Sequence, residues 1–268
     1  MGVQMQKTRP KLEYSPLILV LCEVRFAPVL AIEKFIPEMQ EQLRLRGFPG
    51  FKASSLQQIH LSSQGPSFLE IPRWVFTSKD ETQILTLTTE SVSLQVTRYD
   101  DFEAFLEVLH VAVDVIESIV KPMFAGRVGL RYVDAIAKIG SKGSEYFDAA
   151  VLSFEPSDLG VISLLSSQQV LARTDVGQLI IRMTQVENAT LLPPDLQSPE
   201  LDSLSTVESG VHAILDIDSS DDRQSDFTFS SLEERLWTVH VPAISAFWSS
   251  ITPYAKTKWG MTEIMPGS

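Results

Sequence analysis

QILTLTT (83–89) and VSLQVT (92–97) are two strand-like segments that lead through a pair of aspartates into a long amphipathic helix. QLIIRMT (178–184) and AILDID (213–218) lead in the same way through a second pair of aspartates into a second long helix. Apolar and polar residues alternate along much of these segments, which is typical of strands with one buried face. The chain therefore repeats one pattern of strands followed by a helix.

The two helices also resemble each other. Each contains Leu-x3-His-Val, at 106–111 and at 236–241, and each is preceded by a match to a capping box, Asp100-x-x-Glu103 and Ser231-x-x-Glu234. We expect an α+β fold of pseudo-duplicated antiparallel βββα units, with the long helices packed on one side of the sheet or sheets.

The repeat divides the chain into two predicted units, 1–140 and 141–268, that form one continuous body. The first unit contains PLILVLCEVRF (16–26), which is apolar on both faces at its start and is predicted to be a central strand. The stretch 187–210 contains three prolines and few apolar residues, so we expect an exposed, mobile loop there.

The remaining elements follow from periodicity and turn residues. An amphipathic helix is predicted at 31–46, where apolar residues recur at helical spacing, and a further strand at 127–135. The polar stretch 50–72 is interpreted as a loop with one short strand near Ile59. Separate strands are expected at 161–165 and 169–173.

The charge distribution limits the kinds of molecule that the protein is expected to bind. The formal net charge is −12, and it is uneven: residues 1–140 hold 15 Lys and Arg against 16 Asp and Glu, while residues 141–268 hold 7 against 18. An acidic half repels phosphate backbones, so the composition disfavours nucleic acid as a partner. The acidity is explained adequately by solubility.

The compartment is predicted from features that the sequence lacks. The first residues contain no apolar segment typical of a secretory signal, and the longest apolar run, 17–22, is too short to span a bilayer. The single cysteine, Cys22, excludes an intrachain disulfide. We expect a cytoplasmic protein with no membrane partner.

Three segments carry a resemblance to a known family. PLILVLCEVRF (16–26), RVGLRYVDAI (127–136) and a closing helix with His240, Phe247 and ITP (251–253) resemble the hallmark segments of a sporadically distributed family of uncharacterised bacterial proteins. That family recurs in genomic islands. The resemblance implies a role in a bacterial conflict or phage-defence system, and it implies no established activity.

Glu23, Arg25 and Arg131 are the candidate binding residues, because they are charges within otherwise apolar strands. An unpaired buried charge is costly, so we expect Glu23 to lie within ion-pair distance of Arg25 or Arg131 on neighbouring strands. Three interpretations stay open: a structural ion-pair network, a pocket whose arginines receive a small anionic ligand, and charges exposed on an edge strand.

Other candidate sites are weaker. Asp216 and Asp218 belong to a carboxylate cluster that suits a hard cation, but the spacing is not that of an EF-hand, so we predict no metal site. His110 and His240 occupy equivalent helical places, which packing explains better than ligation. No catalytic residue and no cofactor is predicted, since no nucleophile elbow, Walker A motif or dinucleotide fingerprint occurs.

The function predicted from these observations is that of a non-enzymatic binding protein that takes a protein partner or a small anionic ligand. A homodimer is among the assemblies left open. The alternative is an enzyme that uses a charged cleft between the repeats on a phosphorylated or nucleotide substrate. The lack of a catalytic motif favours the first hypothesis, and the charges of the predicted cleft keep the second one open.

Overall fold

In the computed structural model, which describes residues 9–62, 65–139, 143–154, 159–204, 206–207 and 209–264, nine strands form one antiparallel sheet. Side by side, the strands are β3 (Gly50–Ser62), β4 (Gly65–Thr77), β5 (Gln83–Leu87), β6 (Ser91–Val96), β2 (Leu17–Phe26), β7 (Ala125–Ile136), β10 (Val211–Asp221), β9 (Gly177–Glu187) and β8 (Leu165–Arg173). The short strands β1 (Arg9–Leu12) and β11 (Met261–Ile264) pair with each other.

The long helices lie on one face of this sheet. They are α1 (Ile36–Leu45), preceded by a 3-10 turn over Ile32–Phe35, α2 (Phe102–Ile119) and α4 (Phe229–Ser250). Helix α4 packs on β7 and β10, and α1 packs on α2. Two short helices, α3 (Gly143–Tyr146) and α5 (Pro253–Lys258), pack on each other. Among the residues described, no helix is long and apolar enough to cross a membrane.

The apolar alternation of β2 explains its central position. Val20, Cys22 and Val24 point toward the helices and are completely buried. Leu19 points to the opposite face and is also buried, because that face is covered as well. A strand that is buried on both faces is stable only in the interior of a sheet. The prediction of a central strand at 16–26 is confirmed.

The coarse fold prediction, a mixed α+β protein with an antiparallel sheet, is correct. The order of strands is also the same on either side of the β2–β7 pair: β6, β5 and β4 follow outward from β2, and β10, β9 and β8 follow outward from β7. In both halves a long helix follows the strand next to the central pair. A duplication requires this order, and the superposition of the two halves stays a prediction.

Two strand predictions need correction. The stretch 50–72, interpreted as a loop, lies in the long β3–β4 hairpin. The strands pair through their backbones, and Ser54 and Ser55 contribute little apolar contrast, so periodicity could not detect β3. The strand predicted at 169–173 is correct but too short, and the separate strand at 161–165 is wrong, because a single strand, β8, begins at Leu165 and continues to Arg173.

The helix starts also differ slightly from the predicted capping boxes. Asp101, rather than Asp100, caps α2, and its carboxylate accepts a hydrogen bond of 2.8 Å from the backbone N–H of Ala104. Thr228, rather than Ser231, caps α4 and accepts from the N–H of Ser231 at 3.3 Å. Helix α4 continues through Pro242 to Ser250.

The stretch between β9 and β10, which we call the strap (residues 188–210), differs most from expectation. It contains two 3-10 turns, Pro194–Leu196 and Pro199–Leu204. Three of its five leucines, Leu192, Leu196 and Leu201, are buried against the helix-free face of the sheet, so the predicted exposure of 187–210 is wrong for these residues. A few apolar residues at irregular spacing are sufficient to attach the strap.

Candidate functional site

Strand alternation places the charges of the central strands on the face of the sheet opposite the helices, which we call the open face. Leu130 and Tyr132 on β7 point toward the helices, so Arg127 and Arg131 point the other way. The same alternation brings further charges to the open face from β2 and β10: Glu23, Arg25, Asp216 and Asp218. The three candidate binding residues therefore share one face of the sheet.

Arg131 lies at the centre of a saturated ion-pair network. Its guanidinium donates two hydrogen bonds of 2.7 Å to Asp216 on β10 and two more, of 2.6 and 3.1 Å, to Asp195 on the strap. Asp216 also accepts a hydrogen bond of 3.0 Å from Arg182 on β9. Because four of the five N–H donors of the guanidinium are used here, Arg131 can bind an anionic ligand through two hydrogen bonds only if that ligand displaces a carboxylate.

The electrostatics of this network favour its charged form. Burial alone would lower the pKa of Arg131, but the hydrogen bonds that its guanidinium donates to Asp195 and Asp216 outweigh burial and hold the pKa above its ordinary value. The hydrogen bond from Arg131 correspondingly lowers the pKa of Asp195. The network is therefore a permanent ionic connection between the sheet and the strap.

A second arginine holds the other end of the strap. Arg73 on β4 donates two hydrogen bonds of 2.9 Å to the two carboxylate oxygens of Glu200 and one of 3.1 Å to Ser54. Lys52 lies 3.7 Å from Glu200. Paired guanidinium and carboxylate groups of this geometry are among the stronger polar contacts in proteins. Two such contacts and the buried leucines attach the strap to the open face.

Glu23 and Arg25 form a separate, more exposed group. Glu23 accepts a hydrogen bond from the guanidinium of Arg25, so the predicted ion pair is confirmed for this partner. It is wrong for Arg131, and both members lie on one strand rather than on neighbouring ones. The Arg25 side chain is 59% exposed, so the premise that this pair is buried is also wrong.

Arg127 connects the Glu23 group with β10. Its guanidinium lies 4.0 Å from Glu23, 3.6 Å from Asp218 and 3.9 Å from Asp222. The side chain passes over Gly129, where a Cβ atom would lie only 2.6 Å from an Arg127 nitrogen. Partial burial raises the pKa of Asp218 above its ordinary value. The candidate residues thus form one patch of alternating charge rather than an electropositive pocket.

Asp216 and Asp218, the two weak candidates for metal ligands, are paired with arginine side chains. Both oxygens of Asp216 accept hydrogen bonds from guanidinium groups, and Asp218 faces Arg127. Within the part of the chain that the structure describes, no group of three or more histidine, cysteine or acidic residues is arranged to hold a metal ion. The arrangement therefore offers a cation no free carboxylate at Asp216.

The helix face contains a buried polar group that sequence reasoning missed. Asp134 on β7 is 3% exposed and lies beside Leu17 of β2 and Leu215 of β10. Burial among such neighbours raises the pKa of Asp134 to about 8. The available signal was its position in RVGLRYVDAI, where it continues the series of helix-facing residues that includes Leu130 and Tyr132.

The two repeated histidines pack on aromatic rings. His240 stacks on Phe102 with ring centroids 3.9 Å apart, and its Nδ1 lies 2.7 Å from the hydroxyl of Tyr132. His110 stacks on Phe229 at the same centroid distance. Each histidine thus contacts the first residue of the other long helix. These contacts support the expectation that the histidines serve packing.

The outer strand β8 is the surface that sequence reasoning did not single out. Its side chains Leu165 and Leu171 are 63% and 61% exposed, and Val170 is 43% exposed. The preceding segment exposes Val161, Ile162 and Leu164 as well. Exposed apolar residues clustered in this way are typical of interaction surfaces.

The backbone of β8 is also open on its outer side. The N–H of Glu187 donates to the carbonyl of Leu164, and the N–H of Thr174 donates to the carbonyl of Gly177. Pairing with β9 is continuous between these contacts, so even-numbered residues of β8 bond to β9. The N–H and C=O groups of the odd-numbered residues therefore point outward, where the structure places no further described strand.

No protein-family model matches the chain, and no curated protein is similar enough to it to be recognised as a relative. The class of protein that the fold defines is an α+β protein with a nine-stranded antiparallel sheet in its described part.

Proposed function

We propose that the protein is a non-enzymatic interaction protein that binds another polypeptide along the outer edge of β8. The observation that carries the proposal is the coincidence, on one strand, of outward-facing backbone groups and exposed apolar side chains. An extended segment that adds to a sheet edge gains main-chain hydrogen bonds, and apolar neighbours contribute the remaining stabilisation.

The lack of protection on β8 supports this assignment. Edge strands that must stay unpaired carry charges, prolines or bulges. Residues 159–172 contain no charged residue and no proline, and the β8–β9 register contains no shift. The single charge of β8, Arg173, lies at its last residue, so the remainder of the strand carries no charge that would disfavour pairing.

The open face supports a small anionic ligand or a phosphorylated substrate less well. A ligand pocket was one of the three interpretations of Glu23, Arg25 and Arg131, but their charges are matched within the protein. The described ion pairs of the open face contain six carboxylates and six cationic groups, contributed by Glu23, Asp195, Glu200, Asp216, Asp218, Asp222, Arg25, Lys52, Arg73, Arg127, Arg131 and Arg182. These charges balance, so the face has no excess of positive charge to attract an anion. The only observation that still favours the enzymatic alternative is that these charges lie across the β2–β7 pair.

The finer parts of the hypothesis rest on the sequence. Duplication of a βββα unit is our explanation for the shared strand order and for the two histidine–phenylalanine stacks. A place in a bacterial conflict or phage-defence system is proposed from the resemblance alone.

Site-specific photo-cross-linking tests the proposal. A photo-activatable amino acid in place of Leu171 should give a discrete cross-linked species in bacterial cells. The same amino acid in place of Leu30, which is 89% exposed but lies outside the sheet, should give none.

Two substitutions at one position make the test specific for edge pairing. Ser167→Pro removes an outward N–H without removing a bond to β9, and proline is tolerated on an edge strand in this orientation. It should abolish the adduct at 171, while Ser167→Ala should preserve it. An adduct that survives Ser167→Pro, or equal labelling at 30 and 171, would show that β8 is not the binding edge.

A further inference from the structure

We infer that the polypeptide bound by β8 is β8 of a second copy of this chain, so that two sheets join into one across a two-fold axis. This inference rests on the proposed function, because it needs the outer edge of β8 to be a binding surface. It adds the identity of the partner and the register of the pairing.

The register follows from symmetry and from the outward-facing residues. In an antiparallel pair about a two-fold axis, the outward-facing residues must lie opposite one another. Centring the axis on Gln168 places Leu165 opposite Leu171 of the second copy, and Ser167 opposite Gln169. Leu165 and Leu171 point to the same face of the sheet, because both are odd-numbered residues of one strand. Leu165 of each copy then covers Leu171 of the other, so this contact occurs twice in the dimer.

The charges of the strand are compatible with self-pairing. Arg173 is the only charged residue of β8, and in this register it lies opposite Ser163 of the second copy. No like charges therefore meet across the new strand pair. A strongly acidic or basic peptide, by contrast, would find little charge on the edge to match its own.

The apolar area available is close to that of a stable interface. Six large apolar side chains are exposed on β8 and just before it: Val161, Ile162, Leu164, Leu165, Val170 and Leu171. Burying such side chains removes on the order of 100 Å² each. Together with the backbone of β8, this approaches the roughly 800 Å² per partner that specific interfaces bury.

The net charge of −12 per copy gives the dimer a characteristic salt dependence. Two strongly acidic bodies repel each other, and added salt screens that repulsion. We expect sedimentation equilibrium to show a dimer that is tighter at 500 mM than at 50 mM NaCl. A complex with an oppositely charged partner would weaken over the same range.

Cysteine trapping tests the register with matched positions. Gln168→Cys places a cysteine opposite its own copy in a non-hydrogen-bonded pair, where the Cα atoms are about 4.5 Å apart and a disulfide can form. Gln169→Cys places the cysteine opposite Ser167 instead. The native Cys22 is buried and should not interfere. Under mild oxidation, Gln168→Cys should form a covalent dimer at least tenfold faster than Gln169→Cys.

The outcomes separate this inference from the proposed function. A dimer that is weakened at least tenfold by Ser167→Pro and not by Ser167→Ala supports the inference. A monomer at all concentrations, a dimer insensitive to Ser167→Pro, or equal trapping at 168 and 169 overturns it. If the chain is monomeric but the adduct at 171 contains a different protein, the edge remains a binding surface and only the second copy is excluded. If neither dimer nor adduct forms, both proposals fail.

Discussion

Arg131 binds Asp216 diagonally across β7 and β10, although the residue directly opposite Arg131 in the register is Asp218. Asp218 faces Arg127 instead. Diagonal neighbours on a sheet are within reach of long side chains. Because Arg131 pairs diagonally, its guanidinium lies where Asp195 of the strap can also reach it. One residue thereby connects two strands and the segment that covers them.

The first prediction concerns this connection. Asp216→Asn leaves the nearly buried guanidinium of Arg131 without its main counter-charge, so the free energy of unfolding should fall by about 3–5 kcal/mol. Denaturant titration followed by circular dichroism measures it. Glu23→Gln is the control, because its partner Arg25 is largely exposed and the loss should stay below about 1 kcal/mol. Equal losses for the two variants would contradict the assignment of Arg131 as the structural arginine.

The second prediction concerns pH. Folded Asp134 holds its proton to about pH 8, whereas the ordinary value for the unfolded chain is 3.8. Between these values the folded state binds more protons, so the free energy of unfolding should fall as pH rises, by about 1.4 kcal/mol per unit for this group. Asp134→Asn should remove this decline and stabilise the protein at pH 8.

Melting temperatures of the two proteins between pH 5 and 9 provide the measurement for Asp134. Asp202→Asn on the strap is the control, since Asp202 is exposed and its substitution should leave the slope unchanged. A wild-type protein whose stability does not decline over this range would contradict the burial argument.

The third prediction concerns the strap. Leu201 is completely buried beneath it, so Leu201→Ala should cost about 2–5 kcal/mol and release the strap from the open face. Limited proteolysis should then cut first within 188–210, before any site in 73–135. Val207→Ala, in the same segment but 63% exposed, should leave the cleavage pattern of the wild type unchanged. First cleavage of the Leu201 variant inside α2 would show that the strap is not the element that this leucine holds.

The fourth prediction concerns the stacked histidines. His110 and Phe229 lie with ring centroids 3.9 Å apart and planes 14° from parallel, and they connect α2 to the start of α4. A double-mutant cycle with His110→Ala and Phe229→Ala should give a coupling free energy of about 0.5–1.5 kcal/mol. Strictly additive effects of the two substitutions would mean that the rings touch without stabilising each other.

The sequence predicted elements well where the apolar pattern is clear. The strand β2 was predicted because it is apolar on both faces at its start, and the helix α2 because its buried residues recur at helical spacing. Most of the hairpin β3–β4 was missed, apart from a short strand near Ile59, since its pairing uses backbone groups that every sequence contains. A local sequence pattern indicates which residues are buried, but it does not indicate which backbone groups pair with each other.

The candidate site was predicted only in part for a related reason. The pattern of β2 showed that Glu23 and Arg25 share a face, and they do form an ion pair. The true partner of Arg131 on the strap, Asp195, is 64 residues away along the chain. The contact depends on how a long connection returns over the sheet, which periodicity does not encode. The exposed edge was not identified because β8 lacks the charges and prolines that usually mark an edge strand, and apolar periodicity does not show how many neighbours a strand has.

The central place of β2 has a consequence for how the protein is made. β2 is synthesised early, but its neighbour β7 ends only at Ile136. At the usual 5–20 residues per second, the 110 residues between the ends of these strands take roughly 5 to 20 seconds to emerge from the ribosome. During that interval an apolar strand has at least one unsatisfied edge, which is a template for aggregation. The nascent chain therefore exposes an edge of its most apolar strand until β7 has emerged.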